Sequence, residues 1–232
     1  MDRQQQLRSL QGGLIVSCQA PADSPLHQPE IIAAIAAAAV QRGAVGIRLD
    51  TPEHVRAVRD RLPDTPIIGL WKRTFPDSPV YITPRYAEAE AIAAAGADII
   101  ALDCTLRPRP DGEDFRQIIP RIQQELGRLV MADVDTMEAA IAAAEAGADL
   151  IGTTLYGYTE ATQGRTPPGW DLLAAAVQQI PNTPMICEGG IASAQAARQA
   201  CDRGAFAVVV GTAITGIDLQ VQAYVAALNT RL

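Results

Sequence analysis

Short apolar runs alternate with Ala-rich amphipathic segments along the whole chain. Four of these runs follow a Gly-Ala pair, whose glycines are residues 43, 96, 147 and 204, and an Ala-rich stretch precedes each pair. Glycine commonly ends a helix in the left-handed conformation, and a run of consecutive apolar residues is typical of a strand buried on both faces. The repeat therefore predicts helices that end at Gly and lead into buried parallel strands.

The spacing between these glycines is about twice the length of one strand–helix unit, so each interval should hold a second strand. Apolar runs that follow turn or helix-stop residues supply these additional strands. We predict eight strands, at 13–18, 45–50, 66–72, 98–104, 129–134, 150–156, 184–190 and 207–213. We predict eight helices, at 30–42, 52–61, 84–95, 114–126, 136–146, 169–179, 193–203 and 216–228, with capping hydroxyls at Thr51, Thr83 and Thr136.

Eight strand–helix units indicate an α/β protein with a single (β/α)8 (TIM) barrel as one domain over residues 1–232. The units leave no room for a second domain. A doubly wound sheet is the alternative, but it normally has fewer strands and a Gly-rich dinucleotide loop after the first strand. Here residues 17–21 read SCQAP, which is not that loop. The pattern therefore favours the barrel.

Composition and charge narrow the possible partners. The chain is 48% hydrophobic, as expected of a globular protein, and its net charge is −7. This charge argues against nucleic acid as a partner but not against one small phosphate, which backbone amides can hold. Residues 1–9 are polar, and the longest Ala-rich stretch, 31–40, is half as long as a membrane span. We therefore expect a cytoplasmic protein without a membrane partner.

The cysteines and histidines do not suggest a metal. The four cysteines form no CxxC pair, and the chain has only His27 and His54, which we interpret as bystanders. Three of the four cysteines lie in or beside apolar runs, where a small buried residue is the simplest interpretation.

Charged residues stand where the predicted strands end, which is where barrel enzymes place their active sites. Lys72 and Glu188 each follow almost entirely apolar residues. In a half-buried mouth these two would pair or shift each other's pKa, and a desolvated Lys becomes useful as a base or nucleophile. A solvated position at the rim is the alternative for any single strand-end charge. The other candidates are Arg48, Asp103, Asp133, and either Asp50 or Arg73.

Two Gly-containing loops point to a phosphate. Gly189 and Gly190 follow the seventh strand, and Gly211 and Thr212 follow the eighth. These are the positions where barrels commonly bind phosphate through backbone amides and a helix N-terminus. Tight turns without a ligand are the alternative. We further interpret 107–110 (RPRP) as a solvated loop and 157–159 (GYT), with Tyr158, as a mobile loop able to close over ligand.

The same segments carry a resemblance to a known family across essentially the whole chain, in order. The chain resembles the N-acetylmannosamine-6-phosphate 2-epimerase family, also called N-acylglucosamine-6-phosphate 2-epimerases. The matching segments are GLIVSCQ at 13–19, ADSPL at 22–26, PIIGLWKR at 66–73, DSPVYIT at 77–83, GADIIALD at 96–103, RPRP at 107–110, GTTL at 152–155, GYT at 157–159 and GTAIT at 211–215.

The resemblance implies an isomerase that interconverts N-acetylmannosamine 6-phosphate and N-acetylglucosamine 6-phosphate in sialic acid or amino-sugar breakdown, without a redox cofactor. It implies a small phosphorylated amino sugar as partner and suggests a homodimer. Lys72 would accept and return the proton, and Glu188 would pair with it and help with the enolate charge. The sugar or its N-acetyl group would be held by Gln19, Arg48 and Asp133, and the phosphate by Gly189, Gly190, Gly211 and Thr212.

Two positions depart from the family pattern. Gly190 stands where many members have a polar or basic residue, so a side-chain contact to phosphate would be missing. Tyr156 stands where Ser is familiar, which would alter the pocket rim. Neither change removes an acid–base group.

Three other functions remain open on the residues. A Schiff-base lyase or synthase would use Lys72 as nucleophile. A sugar-phosphate sensor would bind without turnover. A metal-dependent pentose-phosphate epimerase is disfavoured because the His ligands are absent.

Overall fold

Eight parallel strands close into a barrel, and each strand pairs with its neighbours in chain order. The computed structural model describes residues 3–229. This architecture confirms the predicted (β/α)8 barrel. The strands are β1 (Leu14–Ser17), β2 (Gly46–Asp50), β3 (Ile67–Leu70), β4 (Ile99–Asp103), β5 (Leu129–Asp133), β6 (Leu150–Gly152), β7 (Met185–Cys187) and β8 (Ala207–Val210).

The helices surround the barrel, and the predicted ones are present with ends that differ by a few residues. They are α1 (Arg3–Leu10), α2 (Pro29–Gln41), α3 (Pro52–Arg61), α4 (Tyr86–Ala94), α5 (Phe115–Glu125), α6 (Met137–Glu145), α7 (Trp170–Gln179), α8 (Ala194–Asp202), α9 (Thr212–Thr215) and α10 (Ile217–Asn229). Among residues 3–229, no helix has both the length and the apolar character needed to cross a membrane.

Helix ends follow local sequence in most places. The four Gly-Ala glycines all have positive φ, between 89° and 108°, as predicted for helix stops. Thr51 and Thr136 accept the amide hydrogens of His54 and Ala139 and so cap α3 and α6. The predicted cap at Thr83 is wrong, because its hydroxyl donates to the Ala101 carbonyl at 2.7 Å and α4 begins three residues later.

Several elements differ from the predicted ones. The short helix α9 was not predicted, and β6, β7 and β8 end before the predicted ends at 156, 190 and 213. Helix α1 was not predicted, because residues 3–9 are polar, yet Leu10 at its end is fully buried with the residues inside the barrel. Predicted strand 66–72 is too long, since β3 ends at Leu70. Lys72 lies in the following loop, where it forms an isolated antiparallel bridge with Ile82.

The period of two along a strand decides which side chains face the barrel interior. Leu70, Met131 and Ile186 belong to the apolar layer inside the barrel. Two residues further along the chain lie Lys72 just after β3, Asp133 at the end of β5 and Glu188 just after β7. The apolar interior layer is thus followed, two residues later, by a layer of charged side chains at the carboxyl end of the barrel.

Candidate active site

A cavity of about 630 Å³ opens at the carboxyl ends of the strands. Its size suits a ligand as large as a sugar phosphate. Of the ten residues to which a catalytic or binding role was assigned, nine line it, and the tenth, Asp133, is buried and hydrogen-bonded to Arg48. The predicted residues that line it are Gln19, Arg48, Lys72, Tyr158, Glu188, Gly189, Gly190, Gly211 and Thr212.

Arg48 lies at the floor of this cavity and is only 1% exposed. Its guanidinium binds both carboxylate oxygens of Asp133, at 3.1 and 2.6 Å, and also contacts a carboxylate oxygen of Glu188. Burial acts to lower the pKa of Arg48, but the two carboxylates outweigh it and raise that pKa above its ordinary value. Arg48 therefore stays cationic, with the Nε hydrogen buried and unpaired.

Glu188 shares this cluster with Thr154, whose hydroxyl lies 2.6 Å from Asp133 and 3.1 Å from Glu188. Burial raises the pKa of Glu188 to about 7, and the neighbouring Asp133 carboxylate adds to that effect, while Arg48 opposes it. Both protonation states of Glu188 are therefore populated near neutral pH. A carboxyl group poised in this way can give or take a proton.

Lys72 does not form the predicted direct pair with Glu188. Its Nζ donates to Oε1 of Gln19 at 2.5 Å and lies 3.9 Å from Oδ2 of Asp50. Arg48 pairs with Glu188 instead, while the alternative expectation, that Lys72 and Glu188 shift each other's pKa, agrees with the structure. Lys72 and Glu188 still face the same cavity and affect each other electrostatically.

The Lys72 side chain is 44% exposed because the mouth is open, but protein surrounds its amine closely enough to desolvate it. Desolvation lowers the pKa of Lys72, and the Arg48 cation lowers it further. Asp50, Glu188 and Asp133 oppose this effect. A Lys with a lowered pKa holds more of the neutral amine that can remove a proton.

Backbone amides converge at the other end of the cavity. Gly190, Ile191 and Ala192 after β7, and Gly211 and Thr212 after β8, line it. Within residues 3–229, the amide hydrogens of these five residues have no protein acceptor. Unpaired backbone amides in two adjacent loops are the type of donor that binds an anion.

Gly190 is required by its surroundings. Its φ is +67°, and a Cβ there would lie 2.6–2.8 Å from atoms of Pro167. A basic side chain cannot replace it unless the 157–169 segment moves, which gives a physical reason for this departure from the family pattern.

Tyr156 does not alter the pocket rim as expected. It is buried, its hydroxyl donates to Asp171 at 3.2 Å, and its ring packs on Gly169. The expectation failed because the side chain points away from the cavity and into the packing beneath α7.

Several other predicted features lie outside the cavity. Asp103 is fully buried and pairs with Arg107 at 2.7 Å. The predicted solvated loop at 107–110 is wrong for Arg109, which is buried and donates to the carbonyls of Thr83 and Pro84. The sequence left either Asp50 or Arg73 as a candidate at the mouth. Arg73 lies over the Trp71 ring, and Asp50 is the one that faces Lys72.

Tyr158 and the two histidines take different places around the mouth. Tyr158 lines the rim of the cavity and is 56% exposed. His27 and His54 contact each other with ring centroids 4.5 Å apart, and His54 is buried on α3.

Tyr81 and Gln220 are two of the cavity residues that were not predicted. Tyr81 reaches the cavity from the loop after β3, and Gln220 reaches it from α10. Neither stands at the end of a strand, so reading strand ends could not identify them. The bridge between Lys72 and Ile82 folds this loop back over the barrel mouth and explains the position of Tyr81.

Comparison with known proteins is specific. The sequence model of a family described as "Putative N-acetylmannosamine-6-phosphate epimerase" matches residues 32–230. Two curated relatives are each described as "Putative N-acetylmannosamine-6-phosphate 2-epimerase". The one from Synechococcus elongatus is 90% identical over 231 residues, covering 100% of both chains. The one from Thermosynechococcus vestitus is 62% identical over 220 residues, covering 95% of both.

Solved structures agree with this fold. The N-acetylmannosamine-6-phosphate 2-epimerase from Clostridium perfringens superposes with a TM-score of 0.92 at 36% identity, covering 98% of both chains. A thiamine phosphate pyrophosphorylase from Pyrococcus furiosus superposes with a TM-score of 0.62 at 18% identity, covering 91% of this chain and 90% of that one. The latter shares the fold alone.

Proposed function

We propose a function from the premise that this chain belongs to the N-acetylmannosamine-6-phosphate 2-epimerase family. The enzyme interconverts N-acetylmannosamine 6-phosphate and N-acetylglucosamine 6-phosphate by inverting carbon 2, a step of amino-sugar and sialic acid breakdown. The observation that supports this best is the pairing of a lysine of lowered pKa with a cluster of unpaired amides in one cavity.

The reaction needs a base near carbon 2. In the open-chain sugar this carbon is adjacent to the aldehyde, so its proton is acidic enough to remove. We assign this step to Lys72, whose neutral amine takes the proton. The resulting ammonium exchanges its hydrogens with solvent and returns one to the other face of the enolate. Gln19 accepts a hydrogen bond from Nζ in the free enzyme and would release it to the sugar.

The enolate oxygen develops negative charge, and the Arg48 cluster is placed to stabilise it. Arg48 supplies a permanent cation, and Glu188, with a pKa of about 7, can donate a hydrogen bond when protonated. Asp133 does not line the cavity; it holds the Arg48 guanidinium in place through two hydrogen bonds. We therefore assign Asp133 a supporting role beneath the sugar rather than a direct contact.

We assign the phosphate to the amides of the loops at Gly189 and Gly190 and at Gly211 and Thr212. Side-chain cations reach the cavity only from Arg48 and Lys72 among the residues described. The phosphate is then held by backbone dipoles, as at other Gly-rich loops. Tyr158 at the rim would cover the bound sugar.

Deuterium exchange tests the reaction directly. Incubation with N-acetylmannosamine 6-phosphate in deuterated water should yield N-acetylglucosamine 6-phosphate with deuterium at carbon 2. Proton NMR measures both the epimer and the exchange. Proton removal and return predicts incorporation at the same centre that inverts. Epimer formation without deuterium would contradict the assignment of exchange to a solvent-accessible lysine, and the absence of both would exclude the function.

The exposed face of α10 supports a homodimer. No residue of Ile217–Asn229 is buried, and α10 packs chiefly against α9. Ile217, Val221, Tyr224, Val225 and Leu228 recur at the spacing of one helix face. Tyr224 and Leu228 are 73% and 83% exposed. An apolar stripe of this kind is typical of a protein–protein interface, and a second copy of this chain is the partner we propose.

A charge on that stripe should break the dimer. Leu228→Asp should convert a particle of twice the 24.6 kDa chain mass into one of the chain mass in light scattering, because burial of a carboxylate opposes association. Ala223→Glu, on the opposite side of α10, should leave the dimer intact. A single-chain mass for the unmodified protein at micromolar concentration would contradict the proposal.

We also propose a cytoplasmic location. The phosphorylated sugar is an anion that does not cross membranes unaided, so the enzyme should act in the compartment where the phosphate is attached.

A further inference from the structure

Asp50 ends β2 beside the point where β3 gives way to the loop that carries Lys72. In the strand register Asp50 lies opposite Leu70, two residues before Lys72. Its Oδ1 accepts the Lys72 backbone hydrogen at 2.9 Å, and its Oδ2 lies 3.9 Å from Nζ of the same residue. One carboxylate thus binds the main chain of Lys72 and also lies close to its amine.

The two contacts have different consequences. The backbone contact fixes a residue that no longer belongs to the sheet, so it sets where the Lys72 side chain begins. The 3.9 Å distance is longer than a hydrogen bond. The amine can therefore move to a substrate without breaking a bond to Asp50, while it remains in the field of the carboxylate.

We propose that Asp50 is a positioning residue of the epimerisation, which fixes the Lys72 main chain and holds its amine at the sugar cavity. This inference rests on the proposed function, since it concerns the same base. Asp50 also borders a second cavity of about 490 Å³, which Lys72, Gln19 and His27 line as well.

Electrostatics supports the geometry. The charged groups that face Lys72 are Asp50 and Arg48 from β2, Glu188 after β7 and Asp133 from β5. Desolvation lowers the pKa of Lys72, and Asp50 is the strongest of the groups that oppose this change. Loss of the Asp50 charge should therefore lower that pKa further.

Two histidines must be considered because one of them faces Asp50. Burial and the neighbouring His27 lower the pKa of His54, and Asp50 opposes them. His54→Gln, which removes this titration, should leave the pH dependence of turnover in place if Lys72 is the group that responds.

Asp50→Asn is the decisive change because the amide oxygen can still accept the Lys72 backbone hydrogen. We expect the acidic limb of the kcat profile to move to lower pH by about one unit, the size expected for a screened charge about 4 Å away. KM should change less than about twofold, since Asp50 does not line the sugar cavity. Asp50→Ala removes the backbone contact as well, and kcat should fall by roughly tenfold or more.

Asp149→Asn provides a matched control. Asp149 accepts the backbone hydrogen of Val130 at 2.8 Å, a contact of the same kind at the other end of the barrel. It should leave the kcat profile unchanged. Circular dichroism and the thermal midpoint should show that each variant is folded. If Asp50→Ala does not fold, the Asp50→Asn profile alone tests the proposal.

The outcomes separate this inference from the proposed function. If the unmodified enzyme is active and Asp50→Asn has the same pH profile of kcat as the unmodified enzyme, the positioning role of Asp50 is overturned and the epimerase assignment stands. If the unmodified enzyme neither epimerises nor exchanges deuterium, the proposed function itself fails. A shift of the acidic limb equal in Asp50→Asn and Asp149→Asn would also overturn the role, because it would report a general loss of structure.

Discussion

Lys72→Ala should abolish both epimerisation and deuterium exchange at carbon 2, with a loss of at least about 10³-fold in kcat. A single amine that removes one proton from carbon 2 and returns another has no substitute in the cavity, because Arg48 stays protonated and Glu188 is paired with it. The side chain of Lys72 is 44% exposed, so its loss should change stability little. Proton NMR in deuterated water measures both activities in one experiment.

Arg73→Ala is the matched control for this change. Arg73 is the next residue, is exposed, and lies over the Trp71 ring rather than in the cavity. It should retain most of the activity. Exchange that persists in Lys72→Ala would contradict the role of this lysine, and a borohydride-trapped adduct on Lys72 in the unmodified enzyme would favour the Schiff-base chemistry instead.

The barrel and the location of its active site could be predicted because they depend on local patterns. Gly43, Gly96, Gly147 and Gly204 end helices wherever a Gly-Ala pair precedes an apolar run, and each adopts the positive φ that this requires. The charged layer arises from the two-residue period, which leads from an apolar interior residue of β3, β5 or β7 to a charged residue at the strand end or just beyond it. Neither argument needs contacts between distant segments.

The pairing of the charges could not be predicted in this way. Lys72 and Glu188 were expected to pair because each ends an apolar strand, but Arg48 is closer to Glu188 and binds both Glu188 and Asp133. Which cation reaches which carboxylate depends on side-chain length and on the register between β2, β5 and β7. Sequence order does not contain that information.

Contributions from outside the strands were missed for a related reason. Tyr81 enters the cavity because its loop folds back against Lys72, and Gln220 enters it from α10. Gly190 is set by its contact with Pro167, which is 23 residues earlier in the chain. These positions depend on loop conformation and packing, which local patterns specify weakly.

Replacement of Arg48 should have the largest effect on stability of any single change at this site. Arg48→Met removes the cation between two carboxylates, so Asp133 and Glu188 are left buried without their partner. Breaking a buried ion pair from one side typically costs about 3–5 kcal/mol. Epimerase activity should also be lost, since the cation that faces the enolate is gone.

The loss of stability should depend on pH, and Glu188 determines its sign. Its pKa is raised to about 7 in the folded protein, so its contribution to stability is full below its unfolded pKa and is lost as pH rises through about 7. Arg48 opposes this rise, so the pKa of Glu188 should be higher still in Arg48→Met. The variant should therefore lose stability more steeply than the native enzyme between pH 5 and 8, as measured by the denaturant midpoint.

Arg198→Met separates this effect from the loss of an ordinary ion pair. Arg198 pairs with Asp202 at 2.8 Å on the exposed face of α8, where such pairs contribute about 0–1 kcal/mol. Its variant should match the native midpoint across the same pH range. A loss in Arg48→Met that is equally large at pH 5 and pH 8 would mean that removing Arg48 does not change the titration of Glu188, and would contradict the electrostatic coupling between these two residues.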